Sequence, residues 1–231
     1  MSVDELFSNA GFIYQYRTEM EGFYRSFFET CEELTDFFVS IFEFDGTDSI
    51  PRRMVNQVQR FVTLANDVDK IRPKHDPLRI LFLKTCLDSL SQLVQMNKRK
   101  FYQHFSTLFS EKGEKYILDN FHLVYLQEQA DSSCKEISYK ISLCEFLNIM
   151  KTVRDSVVHD GNYWEMQLFS YDEDSTWHTS IKTKDIILDS YKYQAKGSLT
   201  SYFFETSLNY ERFVFYFVET CIRFVQEYIK G

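Results

Sequence analysis

Leu143-Cys144-Glu145-Phe146-Leu147-Asn148-Ile149-Met150-Lys151-Thr152-Val153-Arg154-Asp155-Ser156-Val157-Val158-His159 is the stretch on which the reading of this chain turns. At about 100° per residue, Leu147, Met150, Val153, Val157 and Val158 fall within about 80° of Leu143 and form an apolar stripe. The pattern predicts a helix from Ile141 to about Val158, stopped at Gly161-Asn162. Arg154 lands about 20° from the centre of that stripe. A guanidinium keeps its charge, and burying it alone is very costly. It must meet a carboxylate, an anion or a partner surface. His159 lies about 140° from Arg154 on an ideal helix. The two converge only where the helix unwinds at Asp160-Gly161, or across a two-fold axis with a second copy.

Outward from this helix the chain continues in helical spacing. Phe23, Phe27, Thr30, Leu34, Phe37, Phe38 and Ile41 predict one long first helix over 12–43 that stops near Asp45-Gly46. Pro51 opens a second, with Met54, Val55, Val58, Phe61, Val62, Ala65 and Val68 on one face, running to about Ile71. Asp76 and Pro77 read as cap and first position of a third, from Leu78 to about Val94. Residues 97–109 and 114–129 also read as helical, and Asp131-Ser132-Ser133 as a loop. Beyond Gly161 the period changes to two. Residues 164–169, 177–182 and 186–193 read as strands, with 172–175 as a hairpin tip. Residues 206–229 return to helix, with Phe213, Phe217, Cys221, Phe224 and Tyr228 on one face. The expected architecture is a single mostly α domain over 1–231, a helical bundle carrying a small antiparallel β insertion at 162–200 before the last helix.

Composition agrees with a helical core. Of 231 residues, 44% are hydrophobic, with 23 Phe and 15 Tyr, while 7 Gly and 3 Pro provide few breaks. No stretch reaches the roughly 18 uninterrupted apolar residues of a membrane span. The apolar run Phe213 to Val225 contains Glu219 and Arg223. The first residues carry neither a basic nor an apolar region of a signal peptide, so a cytoplasmic protein is expected. Cys31, Cys86, Cys134, Cys144 and Cys221 are scattered, which fits reduced thiols better than a disulfide frame or a zinc site. The net charge of −8 hides an asymmetry, since 51–100 hold eleven Lys/Arg against four acids. That basic segment reads either as a phosphate-tracking surface or as a solvated face paired to acidic neighbours.

Arg154-Asp155-Ser156-Val157-Val158-His159, late on a helix with one further helix to come, resembles the motif of HEPN domains: Arg, a polar residue, a short spacer and His. The resemblance implies a helical bundle of the HEPN type that dimerises. It also implies an RNA-cleaving site at the dyad, with Arg154, Asp155 and His159 as catalytic residues and neither metal nor other cofactor. Such proteins act as toxins or antiviral defence components, so an antitoxin or regulatory protein is a further expected partner.

The residue types suit that chemistry. Histidine titrates near neutrality and serves as base or acid, and arginine offers a fixed fork to phosphate oxygens. Lys98, Arg99 and Lys100, next to Phe101-Tyr102, together with Arg52 and Arg53, are the candidate RNA-binding cations. His75, His104, His122 and His178 are isolated, without metal-ligand spacing. A non-catalytic module that dimerises or binds RNA or protein is the competing reading. In it Arg154 sits in a structural ion pair with an acid such as Glu32 or Glu33.

Overall fold

The computed structural model describes residues 14–44, 49–128, 134–161, 167–170, 175–183 and 200–231. They are mostly helical, with one antiparallel sheet. In chain order the elements are α1 (Tyr14–Tyr24), a 3₁₀ turn (Arg25–Phe27), α2 (Cys31–Glu43), α3 (Ile50–Ile71), α4 (Asp76–Leu93), α5 (Lys98–Thr107) and α6 (Glu111–Asn120). There follow β1 (Phe121–Glu128), β2 (Cys134–Lys140), α7 (Leu143–Asp160), β3 (Trp177–Thr183), β4 (Thr200–Thr206) and α8 (Tyr210–Lys230). None of the described helices is long and apolar enough to cross a membrane.

The central element is α4, packed between α3 and α7. Its apolar residues do not form one stripe. Ile80, Leu83, Cys86, Leu87 and Leu90 are all buried, and so are Asp76, Arg79, Lys84, Asp88 and Ser91. A helix enclosed on nearly every side must also enclose its charges, and these then need partners. Asp76 shows how. Its Oδ2 accepts the backbone N–H of Leu168 at 2.9 Å and of Phe169 at 2.8 Å, pinning the segment that follows α7 to the start of α4. His75, rather than Asp76, occupies the N-cap position, so that carboxylate serves a tertiary contact instead of the predicted cap.

The motif helix α7 is fixed at both ends by local chemistry. Ser142 and Glu145 form a reciprocal capping box, with Ser142 N–H to Glu145 Oε2 at 2.7 Å and Glu145 N–H to Ser142 Oγ at 3.2 Å. Gly161, at φ +62°, ends the helix as expected, its N–H reaching the Ser156 carbonyl. Near the start of α7, Phe146 meets Phe121 of β1 edge-on at 5.1 Å and Phe213 of α8 at 5.6 Å. Phe121 in turn stacks on Phe204 of β4 at 5.2 Å. The sheet and α8 thus hold α7 at Phe146; α7 also packs on α4 and α5, and Arg154 in its second half reaches Asp88 of α4.

Other expectations also need correction. The single helix over 12–43 is broken: α1 gives way to the 3₁₀ turn, and α2 restarts behind a capping box made by Thr30 and Glu33. That box satisfies the first amides of a new helix, which is why aromatic periodicity does not carry through. Residues 114–129 are not all helix, because α6 ends at Asn120 and β1 runs from Phe121 to Glu128. Alternation wins there: Phe121 and Leu123 face the core and pair with Thr206 and Phe204 of β4. Nor is the sheet confined to 162–200. Its order is β2-β1-β4-β3, so two strands precede α7 and two follow it, the last at Thr200–Thr206. β3 lies where alternation placed it. Residues 167–170 form no strand, only a bridge from Ser170 to Asn209. The rest of the 164–169 run, most of the hairpin tip, the 186–193 run and the loop at 131–133 lie outside the described residues.

Candidate functional site

Arg154 is not a lone cation. Its Nη2 donates to Asp88 Oδ2 at 2.8 Å, and its Nη1 lies 3.2 Å from Asp155 Oδ1, so both tips of the fork meet carboxylates. The partner predicted from sequence, Glu32 or Glu33, is replaced by an acid on α4, and Glu33 is engaged in capping α2. The Arg154 side chain is 19% exposed, at the edge of the bundle rather than in its middle.

Asp88 is the hub. Its Oδ1 accepts from Lys84 Nζ at 2.8 Å and from the Tyr102 hydroxyl. Its Oδ2 accepts from Lys98 Nζ at 3.1 Å and from Arg154. The two oxygens thus divide the donors by depth. Lys84 is 0% exposed, its ammonium 3.7 Å from the centre of the Tyr102 ring, whereas Lys98 is 49% exposed. Local structure on three helices brings this about. Lys84 and Asp88 share a face of α4 at i,i+4. Asn97 caps α5 by accepting the Arg99 N–H, which sets Lys98 and Tyr102 on the first turns of that helix. Phe101, fully buried against Phe224 of α8, fixes how α5 is turned. The capping box and the Phe146 contacts set the position of α7.

The charges perturb one another. Burial pushes the Lys84 amine down from 10.5 to about 8, with Arg154 and Lys98 adding to that effect and Asp88 opposing it. For Asp88, burial alone would raise the carboxyl. The bonds and charges of Lys84 and Lys98 outweigh it and hold the group below its ordinary value. Around the far side of Arg154, Asp155 Oδ2 pairs with Lys151. Among the described residues, the network joined by these bonds holds four cations (Lys84, Lys98, Lys151, Arg154) and two carboxylates.

Of the residues singled out in the sequence, Arg154, Asp155 and Lys98 meet in this network. His159 lies on the last turn of α7, exposed, and its side chain makes no hydrogen bond or ion pair with the described residues. Arg99 and Lys100 are exposed next to Lys98. Arg52 is a correction: it is buried, its Nη2 donating to the Phe42 carbonyl at 3.1 Å and its guanidinium 4.3 Å from the Phe42 ring centre. It ties α3 to the end of α2 and presents no charge to a ligand. Arg53 is exposed beside it on α3 and takes no part in the Asp88 network. His104, half-buried against Phe224, reaches Glu227 Oε2 at 3.1 Å, which is a packing role.

The motif does not single out Lys84, Asp88 or Tyr102. A signal for the first two is nonetheless present. A lysine–aspartate pair at i,i+4, set among Leu83, Cys86, Leu87 and Leu90, marks charges that a buried helix has to satisfy. Compared with known proteins, the chain matches no family model, no curated protein and no solved structure.

Proposed function

We propose that this chain is a metal-independent endoribonuclease of the HEPN type, working in the cytoplasm as a homodimer, as a toxin or antiviral defence component under a regulatory partner. The supporting observation is the charge excess in the network that α4, α5 and α7 build around Asp88: a structural ion pair for Arg154 needs one carboxylate, yet cations outnumber carboxylates two to one in that network. Positive charge held partly out of water is matched to phosphate. The exposed His159 stands at the end of α7, little more than one turn past Arg154.

In the proposed reaction the ribose 2′-hydroxyl attacks the adjoining phosphorus. One His159 takes the 2′ proton, and the 5′-oxygen leaves with a proton from the His159 of a second copy. Arg154 faces the charge that grows on the phosphoryl oxygens. The products are a 2′,3′-cyclic phosphate and a 5′-hydroxyl. The test is incubation of purified protein with end-labelled RNA in the presence of EDTA. The expected result is cleavage with cyclic phosphate ends, reduced at least about 100-fold in His159→Ala and in Arg154→Ala. Undiminished cleavage by folded His159→Ala protein would refute the proposal.

A second reading is a non-catalytic helical module that binds RNA or protein. It is favoured by the occupation of both Arg154 tips by carboxylates. Under it, Arg154→Ala lowers stability, His159→Ala changes nothing, and neither protein cuts RNA.

A further inference from the structure

The division of donors on Asp88 carries an inference about how the proposed RNA site takes its substrate, and it rests on that reading. Oδ1 is held from within by Lys84 and Tyr102, both buried, so the carboxylate cannot swing. Oδ2 faces outward and draws two cations from different helices to one point, Lys98 from α5 and Arg154 from α7. With bonds of 3.1 and 2.8 Å to the same atom, the two nitrogens are close enough to bond two oxygens of one phosphate. Without Asp88 nothing in the described structure would gather them. Lys98 belongs to a flexible four-carbon side chain half in water, and its position on α5 is shared with the exposed Arg99 and Lys100.

We propose that Lys98 and Arg154 form a two-pronged clamp for a single backbone phosphate of RNA, with Asp88 as the residue that sets their spacing and Lys84 and Tyr102 as positioning residues behind it. On binding, the phosphate shares the two outer cations with Oδ2 while Oδ1 keeps its inner donors. The clamp makes Lys98 a binding residue of a different kind from Arg99 and Lys100, which add only long-range attraction.

The experiment separates binding from cleavage by using a 2′-O-methyl RNA oligonucleotide, which has no 2′-hydroxyl to attack. Its affinity is measured by fluorescence anisotropy over a range of salt for the full chain and for Lys98→Gln, Tyr102→Phe and Lys70→Gln. Lys70 is exposed and paired with Asp67 near the opposite end of α4, where Arg79 meets Asp69. Expected for Lys98→Gln is a loss of about three- to tenfold at low salt and a salt slope shallower by about 0.7, the value for one phosphate contact on a single strand. Expected for Tyr102→Phe is weaker binding with the salt slope kept, since the substitution removes a hydroxyl and no charge. Lys70→Gln is expected to bind as the unaltered chain does. The clamp is overturned by an unchanged slope in Lys98→Gln, by equal losses in Lys98→Gln and Lys70→Gln, or by failure of the unaltered chain to bind. If that chain binds the oligonucleotide through Lys98 yet leaves natural RNA intact, the clamp stands and the nuclease reading falls. Cleavage of natural RNA with no dependence on Lys98 does the reverse: the nuclease reading stands and the clamp falls.

Discussion

Replacing Lys84 by methionine tests the electrostatics of the α4–α5–α7 network directly. In the folded chain the Lys84 amine titrates at about 8, against an ordinary value of 10.5 that the unfolded chain regains. Between those two values the unfolded state binds more protons than the folded one, so stability rises as pH climbs through the window. The gain from about pH 7 to about pH 9 is then about 1.3 kcal/mol. Below the window Lys84 is charged in both states, and the full cost of burying that charge is present. The methionine variant lacks the group. The unfolding free energy of the unaltered chain minus that of Lys84→Met should therefore grow by about 1 kcal/mol over that interval. Other groups titrating nearby cancel in the difference, among them Cys221, whose thiol is raised by burial and by contact with Cys86. In the unaltered chain Lys84 and Lys98 hold the Asp88 carboxyl below its ordinary value, and in Lys84→Met the donors Lys98, Arg154 and Tyr102 remain on it. The assay is urea denaturation followed by far-ultraviolet circular dichroism at constant ionic strength. A difference that stays flat, or that shrinks as pH rises, would show that Lys84 is not a desolvated cation and would remove the basis for a rigid Asp88.

Two further perturbations probe how the motif helix is held. Asp76→Ala strands the amides of Leu168 and Phe169 and takes a carboxylate from beside Arg79, so thermal denaturation should report a loss of about 3 kcal/mol or more. A loss below about 1 kcal/mol would mean that the segment after α7 is not anchored there. Gly161→Ala places a Cβ that meets nothing within 4 Å, so the cost is that of φ +62° alone, about 1 kcal/mol in a urea titration. A neutral outcome would contradict the left-handed C-cap.

Legibility from sequence follows the range of the interactions. Helices α3, α7 and α8 are visible because a 3.6-residue period records burial that each helix expresses along its own length. α4, buried on nearly every side, is visible instead from Pro77 at its start. The stop at Gly161 is visible because a left-handed residue is a local requirement. The strand at Phe121–Glu128 is hard to tell from helix: a polar His122 between Phe121 and Leu123 signals alternation only over a few residues, and its β4 partner lies some eighty positions away. The break in the first helix has a local mark, Thr30 and Glu33 three apart, that the aromatic pattern overshadows. At the site, the demand that Arg154 find an anion follows from chemistry alone. The identity of that anion does not, since Asp88 is 66 positions earlier and nothing in the spacing pairs the two. Arg52 fails as a surface cation for a related reason: only the approach of α2 and its Phe42 carbonyl buries it.

The strand order β2-β1-β4-β3 has a consequence for synthesis on the ribosome. β1 and β2 are near neighbours in sequence and can zip together as soon as they emerge, but the second side of β1 waits for Thr200–Thr206. At about 5–20 residues per second, those roughly eighty residues take about 4 to 16 seconds to arrive. For that interval the nascent chain carries a strand with bare amides and carbonyls along one flank. That makes it a period in which stray pairing with another chain competes with completion of the sheet.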